Sequence, residues 1–193
     1  MKNKEDAVKL SNCMKNIGKL SEKETICIIT NMDEPLGKTV GNTLEVIEAI
    51  EILNGNMQED VKEIVLTIGS YMMKLAGKSN DLEKNRKEIL ETIKTGKALE
   101  KFKELVKRQN GDFSYIENIN KFPRAKYILE VVSDINGYVN RINAQNVGEI
   151  SRELGAGRFK KTDKIDHAVG IVLERKVGDY VKKRRYTWIY TCK

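Results

Sequence analysis

The stretch Thr30-Asn31-Met32-Asp33-Glu34-Pro35-Leu36-Gly37-Lys38-Thr39-Val40-Gly41-Asn42-Thr43-Leu44-Glu45-Val46-Ile47-Glu48-Ala49 decides how this chain is read. A short β-type run, Thr25 to Thr30, leads into it. Pro35, Leu36 and Gly37 then build a tight loop, and the chain passes through Gly41 into an amphipathic helix. Strand, rigid loop and helix N-terminus is the arrangement by which α/β proteins place ligands. Pro35 fixes φ and carries no N–H, which stiffens the approach. Successive carbonyls of such a turn can point at one spot. A hard cation takes oxygen ligands of this kind, loop carbonyls plus one carboxylate. Glu48, on the helix that follows, is the candidate carboxylate. From the residues alone, Glu45, Glu48 and Glu51, spaced by three, read more simply as one solvated helix stripe.

The rest of the chain sets that loop in context. The 193 residues allow one large or two small domains, and 40% hydrophobic residues suffice for a core. No apolar run reaches the roughly 18 residues of a membrane helix, and no signal peptide follows Met1. Cys13, Cys27 and Cys192 form neither a metal pattern nor a disulfide framework, so the cytoplasm is the expected compartment. Cys13 and Cys27 lie in apolar contexts and read as small core residues. The net charge of +7 arises from 35 basic residues interleaved with 28 acidic ones. That is the pattern of solvated helix faces. The basic run Lys182-Lys183-Arg184-Arg185 supports nucleic-acid binding only weakly.

Helices are expected over residues 4–18, 42–53, 60–76, from Asn80 or Asp81 to Thr95, and over 97–109. Ile26-Cys27-Ile28-Ile29 reads as a buried strand of a parallel sheet covered on both faces. Residues 110–125 are a domain boundary by composition. Beyond it, strands are expected at 127–132, 137–142, 169–175 and 186–190, with a short helix over 144–154. The only histidine, His167, lies beside Asp166 with no nucleophile motif to join them, and reads as a surface or satisfied core residue. Leu154-Gly155-Ala156-Gly157-Arg158 follows a helix rather than a strand. It reads as a helix cap at Gly155 and a turn at Gly157 with positive φ, not as a dinucleotide motif.

Taken in order, these segments resemble the pyrimidine-nucleoside and thymidine phosphorylases. The likeness is carried by P-L-G-x-x-V-G-N-x-L-E-V-x-E-A over Pro35 to Ala49, by Leu66 to Met72, and by Gly96 to Phe102. It continues through Gly137-Tyr138-Val139, Leu154 to Arg158, Asp166 to Ile171 and Lys176-Val177-Gly178-Asp179. The resemblance implies an α+β chain. Residues 1–112 would be the mostly helical later half of a nucleoside phosphorylase α/β domain. Residues 120–193 would be a C-terminal, barrel-sandwich-like α+β domain that stops early. The implied activity is that of a pentosyltransferase: phosphorolysis of a pyrimidine nucleoside to the free base and a pentose 1-phosphate. The implied assembly is a homodimer. The implied cofactor is potassium or a similar monovalent cation, held by the carbonyls of Leu36 and Thr39 and the side chain of Glu48. Thr39 stands where many members carry Ala, a change that a backbone ligand tolerates.

The departures bear on activity. The phosphate-binding K-H-S-T-G-G-V-G-D loop, which also supplies the remaining cation ligands, does not occur in the chain. Neither does the Y-x-x-R-D segment that binds the pyrimidine. No catalytic residue is therefore assigned here. The expectation is a portion of the enzyme that is inactive alone, or one completed by a separate N-terminal chain. A non-catalytic barrel-sandwich binding module is the alternative, and no lysine sits in a recognisable attachment motif for it. Arg184-Arg185 replaces a Gly-containing turn, and His167 stands where an apolar residue is usual.

Overall fold

The computed structural model describes residues 3–192. The chain divides into two compact units, one formed by residues 1–31 with 62–91, the other by 32–61 with 92–193. It is a mixed α+β chain, with its helices largely in the first two-thirds and its sheet contributed mainly by the last third.

In the first unit, α1 (Lys4–Leu20) begins where the Asn3 side chain accepts from the Asp6 N–H at 2.8 Å. No residue of α1 is buried, and Cys13 is exposed. Cys13 is therefore not the core residue its apolar neighbours suggest, because α1 offers it no interior. The unit's centre lies instead on α3 (Glu59–Leu75) and α4 (Leu82–Lys94), where Leu66, Ser70 and Asn85 are 2%, 2% and 0% exposed. The Asn85 amide donates to the carbonyls of Ser70 and Ser79 at 3.1 and 3.0 Å, tying the start of α4 to α3. Asp81 caps α4 by accepting from the Lys84 N–H at 3.0 Å.

The expected strand at Ile26–Ile29 does not form. Thr25 to Thr30 carries no strand among the described residues, and Ile28 and Ile29 are 38% and 44% exposed. A strand exists only through its ladder. The apolar run has the composition of a buried strand, but it takes part in none of the described ladders.

The second unit holds the sheet. Its strands are β1 (Thr39–Val40), β2 (Tyr127–Val132), β3 (Gly137–Tyr138), β4 (Gly170–Leu173), β5 (Tyr180–Val181) and β6 (Tyr186–Cys192). A four-stranded sheet runs in the order β1-β4-β6-β2, and β3 pairs with β5 separately. All these ladders are antiparallel. β2 coincides with the expected strand. β3 is shorter than expected, since its partner β5 offers only Tyr180 and Val181 to pair with, and Ile142, beyond the strand, lies in the core at 1% exposure. The core comprises Ile142, Val147, Ile171 and Leu173, with Val40, Ile150, Leu154, Trp188 and Tyr190 packed against it.

The helices of this unit include α2 (Asn42–Leu53), α5 (Lys97–Arg108), the short α6 (Ser114–Glu117) and α7 (Ala144–Ser151). Past α7 the turns widen over Arg152–Ala156 and end at Gly155, whose φ of 112° is the expected left-handed stop. Gly157 differs from expectation: its φ is −135°, ordinary extended backbone. What its small size serves is space, since a Cβ there would lie 2.9 Å from Arg152 Cγ.

Candidate functional site

The loop between Pro35 and Gly41 is built from its glycines outward. Gly37 has φ +71°, and a Cβ on it would lie 2.8 and 2.9 Å from the two carboxylate oxygens of Glu48. Glycine therefore serves twice here, for the left-handed turn and for the close approach of a carboxylate to backbone. The chain next enters β1, pairs with β4, and turns at Gly41 into α2. There the Glu45 carboxylate reaches back to accept from the Gly41 N–H at 3.1 Å.

Glu48 lies on the face of α2 toward the loop. Its Oε1 accepts from the Lys38 N–H at 2.7 Å, and its Oε2 accepts from the Thr39 N–H at 3.3 Å and the Thr39 hydroxyl at 2.6 Å. It is 8% exposed. The three glutamates are thus not one solvated stripe: Glu45 and Glu48 both serve the loop, and Glu48 is buried. Among the described residues no Lys or Arg side chain pairs with Glu48. A buried carboxylate balanced only by N–H and O–H dipoles is a place where an added cation is electrostatically favoured.

The loop carbonyls divide in two. The Lys176 ammonium donates to the carbonyl of Pro35 and, at 2.9 Å, to that of Gly37. The Lys38 carbonyl accepts from the Leu173 N–H at 2.6 Å, and the Val40 carbonyl from the Ser151 hydroxyl at 3.1 Å. Among the described residues, none of these donors reaches the carbonyl of Leu36 or Thr39. Strand alternation accounts for Thr39. With Lys38 hydrogen-bonded across to β4, the backbone groups of the next residue face away from that strand, and the Thr39 N–H accordingly goes to Glu48. The donor set of Leu36 O, Thr39 O and the Glu48 carboxylate is all oxygen with one charge. It fits a hard monovalent cation as a partial ligand set.

Sequence reasoning missed the groups that hold this loop from outside. Lys176, 21% exposed on its side chain, lies 3.1 Å from Asp60 Oδ2 and 3.8 Å from Glu34 Oε2. Asp60 Oδ2 also accepts from the Gly37 N–H at 3.1 Å, and Glu34 accepts from the Val177 N–H at 3.0 Å. Nothing local announces these contacts, because Lys176 lies 139 residues from Gly37. Burial pushes the Asp60 carboxyl up, but the hydrogen bond from Lys176, those from the Val61 and Gly37 amides and the Lys176 charge together outweigh it. They hold Asp60 below the ordinary aspartate value of 3.8. A carboxyl that is more acidic folded than unfolded stabilises the fold above its unfolded value, and that stability is lost as pH falls through the lower folded value. Asp60→Asn is therefore expected to unfold at lower urea than the parent near neutral pH. The two midpoints should converge as pH drops below about 3.8. Urea titrations between about pH 2.5 and 6 measure this, and a gap independent of pH would contradict it.

His167 is exposed, and its carbonyl accepts from the Thr43 N–H at 3.2 Å. It has a surface side chain and a structural backbone group. Among the described residues no helix is long and apolar enough to cross a membrane.

With this geometry in hand, the comparisons are specific. Residues 3–99 match the family described as "Glycosyl transferase family, a/b domain", which sets the class of protein to which the chain is similar. Residues 138–190 match "Pyrimidine nucleoside phosphorylase C-terminal domain". The chain is 46% identical over 183 residues to the pyrimidine-nucleoside phosphorylase of Bacillus subtilis (strain 168), covering 95% of this chain and 42% of the relative. It is 44% identical over 183 residues to that of Staphylococcus aureus (strain USA300), again covering 95% and 42%. The chain belongs to the pyrimidine-nucleoside phosphorylase family and spans less than half the length of these relatives.

Proposed function

We propose that this chain contributes the cation-binding loop to phosphorolysis of a pyrimidine nucleoside, a reaction that gives the free base and a pentose 1-phosphate. The observation that supports this most directly is the coincidence at the loop. The carbonyls of Leu36 and Thr39 are the two left by the donors of Lys176, Leu173 and Ser151, and the buried Glu48 lies against the same loop. The names of the relatives support the substrate class. Potassium or a similar cation bound there supplies the positive charge that Glu48 lacks and stiffens the loop. Within the chain, Glu48 orients Lys38 and Thr39, Gly37 lets the carboxylate approach, and β1 fixes the direction of the Thr39 backbone.

The chain alone is proposed to be inactive, because it carries neither the K-H-S-T-G-G-V-G-D nor the Y-x-x-R-D segment. Pyrimidine nucleoside and phosphate are then bound only when the portion bearing those motifs is also present, within one polypeptide or on a separate N-terminal chain. The homodimer of the family belongs to that complete assembly. Cytoplasmic residence accords with the free thiols of Cys13, Cys27 and Cys192. The test is an assay of the pure 193-residue chain with thymidine or uridine and inorganic phosphate, alone and mixed with the N-terminal portion of a relative. No base release alone, and potassium-dependent release in the mixture, are expected. Phosphate-dependent release by the chain alone refutes its inactivity. A mixture that binds but gains no activity refutes the assigned contribution.

A further inference from the structure

We propose that Lys176 is the positioning residue of the cation loop, an internal ammonium that sets the loop's shape before any ion binds. The inference rests on the reading of the loop given above. Lys176 itself lies outside the ligand set of Leu36, Thr39 and Glu48.

The geometry is that of a cation site filled by a side chain. The ammonium gathers the carbonyls of Pro35 and Gly37 and the carboxylates of Asp60 and Glu34. An ammonium has three N–H donors and no acceptor, so two carbonyls and one close carboxylate use its donors fully. Consecutive peptide units of an extended or turned segment tend to point their carbonyls in different directions. Fixing the carbonyls of Pro35 and Gly37 on Lys176 therefore turns that of Leu36 away from it. Asp60 completes the clamp by binding the ammonium and the Gly37 N–H through the same oxygen, Oδ2.

Lys176 is itself fixed at its backbone. Its N–H donates to Asp179 Oδ2 at 2.9 Å, and its carbonyl accepts from the Asp179 N–H at 3.1 Å. The Gly178 N–H donates to the Val139 carbonyl at 2.9 Å, and the Val177 N–H to Glu34. The turn Lys176-Val177-Gly178-Asp179 between β4 and β5 thus holds the lysine stem in one place. The clamp joins this turn to the loop across 139 and 141 residues of sequence. With the loop shaped in advance, the ordering entropy of the loop is not charged to ion binding.

The experiment measures amide hydrogen exchange by NMR in the 193-residue chain, in choline chloride, so that no candidate ion is present. Lys176→Met retains an unbranched stem of similar reach and removes the charge and the donors. In Lys176→Met the amides of Gly37, Lys38 and Thr39 are expected to exchange at least about tenfold faster, while those of the β2–β6 ladder keep their rates. Lys176→Arg, which restores a cation and donors, is expected to recover part of that protection. Unchanged exchange at Gly37 to Thr39 in Lys176→Met overturns the proposal. An equal rise throughout the sheet also overturns it, since Lys176 would then be a general stabilising residue. Repeating the series in potassium chloride keeps the two ideas apart. If potassium adds no protection, the cation assignment fails while the choline result on Lys176 stands.

Discussion

Replacing Gly170 by alanine is expected to destabilise the chain by roughly 3 kcal/mol or more, at the upper end of what overpacking costs. A Cβ at Gly170 would lie 2.5 Å from the Val40 carbonyl oxygen, 2.8 Å from Leu44 Cδ1 and 3.0 Å from Gly41 Cα. Two of these three neighbours are backbone, so a rotamer change cannot open the space. Gly41 cannot yield either. Its φ is +154°, and its own Cβ would meet the Val169 carbonyl oxygen at 2.6 Å and Gly170 Cα at 2.9 Å. The two glycines face each other where β1 ends, β4 begins and α2 starts. The closeness of that crossing brings α2, with Glu48, onto the loop. Urea unfolding of Gly170→Ala, with Gly148→Ala as control, measures the effect. Gly148 lies in α7 with nothing within 4 Å of a built Cβ, so alanine there is expected to be neutral or to stabilise by up to about 1 kcal/mol. A Gly170→Ala midpoint equal to the parent's would show that the crossing is not tight.

Glu48→Ala is expected to cost about 3 kcal/mol and to loosen the loop locally. The substitution strips acceptors from the Lys38 N–H, the Thr39 N–H and the Thr39 hydroxyl. Hydrogen bonds to a charged group contribute about 1.5–3 kcal/mol each, and part of the loss is recovered when water reaches the freed donors. Glu48→Gln keeps one oxygen acceptor but turns an NH₂ group toward a second donor, so it should fall between parent and alanine. Unfolding midpoints for the three proteins, with amide exchange at Lys38 and Thr39, decide the matter. A Glu48→Ala protein within about 0.5 kcal/mol of the parent, the range of an ordinary surface substitution, would return Glu48 to the solvated stripe that its spacing suggests.

The helices were legible because their apolar residues recur at helical spacing and their ends carry recognisable stops. α2 coincides with the expected residues 42–53, and α3 and α5 agree to within a residue at each end. β2 was legible for its run of β-branched and aromatic residues bounded by turns. The run at Ile26–Ile29 shows the limit of this reasoning. Its composition states what a strand would accept as surroundings, but a ladder needs a second strand, which a local pattern does not reveal. The error at Cys13 has the same origin, since an apolar neighbourhood in sequence does not supply an interior. β1 went unseen because Thr39 and Val40 are too few to show a period.

The candidate site divides along the same line. Pro35, Gly37 and Glu48 were recognisable because their roles are local or lie within one loop and the helix after it. Leu36 and Thr39 entered through resemblance alone, since a backbone ligand leaves no mark on its own side chain. Their place among the loop's carbonyls became visible only with the donors that take the others. Lys176, Asp60 and Glu34 carry no local pattern at all.

Although α1 runs two residues past its expected stop at Gly18 and α7 ends three residues before the expected 154, the sequence by itself determined the family, the positions of most helices and the glycine-governed loop. These rest on short-range sterics and on periodicity, which neighbouring residues suffice to express. Only the tertiary structure decided the strand order β1-β4-β6-β2, the crossing of Gly41 with Gly170 and the clamp of Lys176 on Pro35 and Gly37. The β1–β4 pairing, the glycine crossing and the Lys176 clamp each join residues more than a hundred positions apart, and such contacts are chosen by how the whole chain packs, not by any segment's own preference.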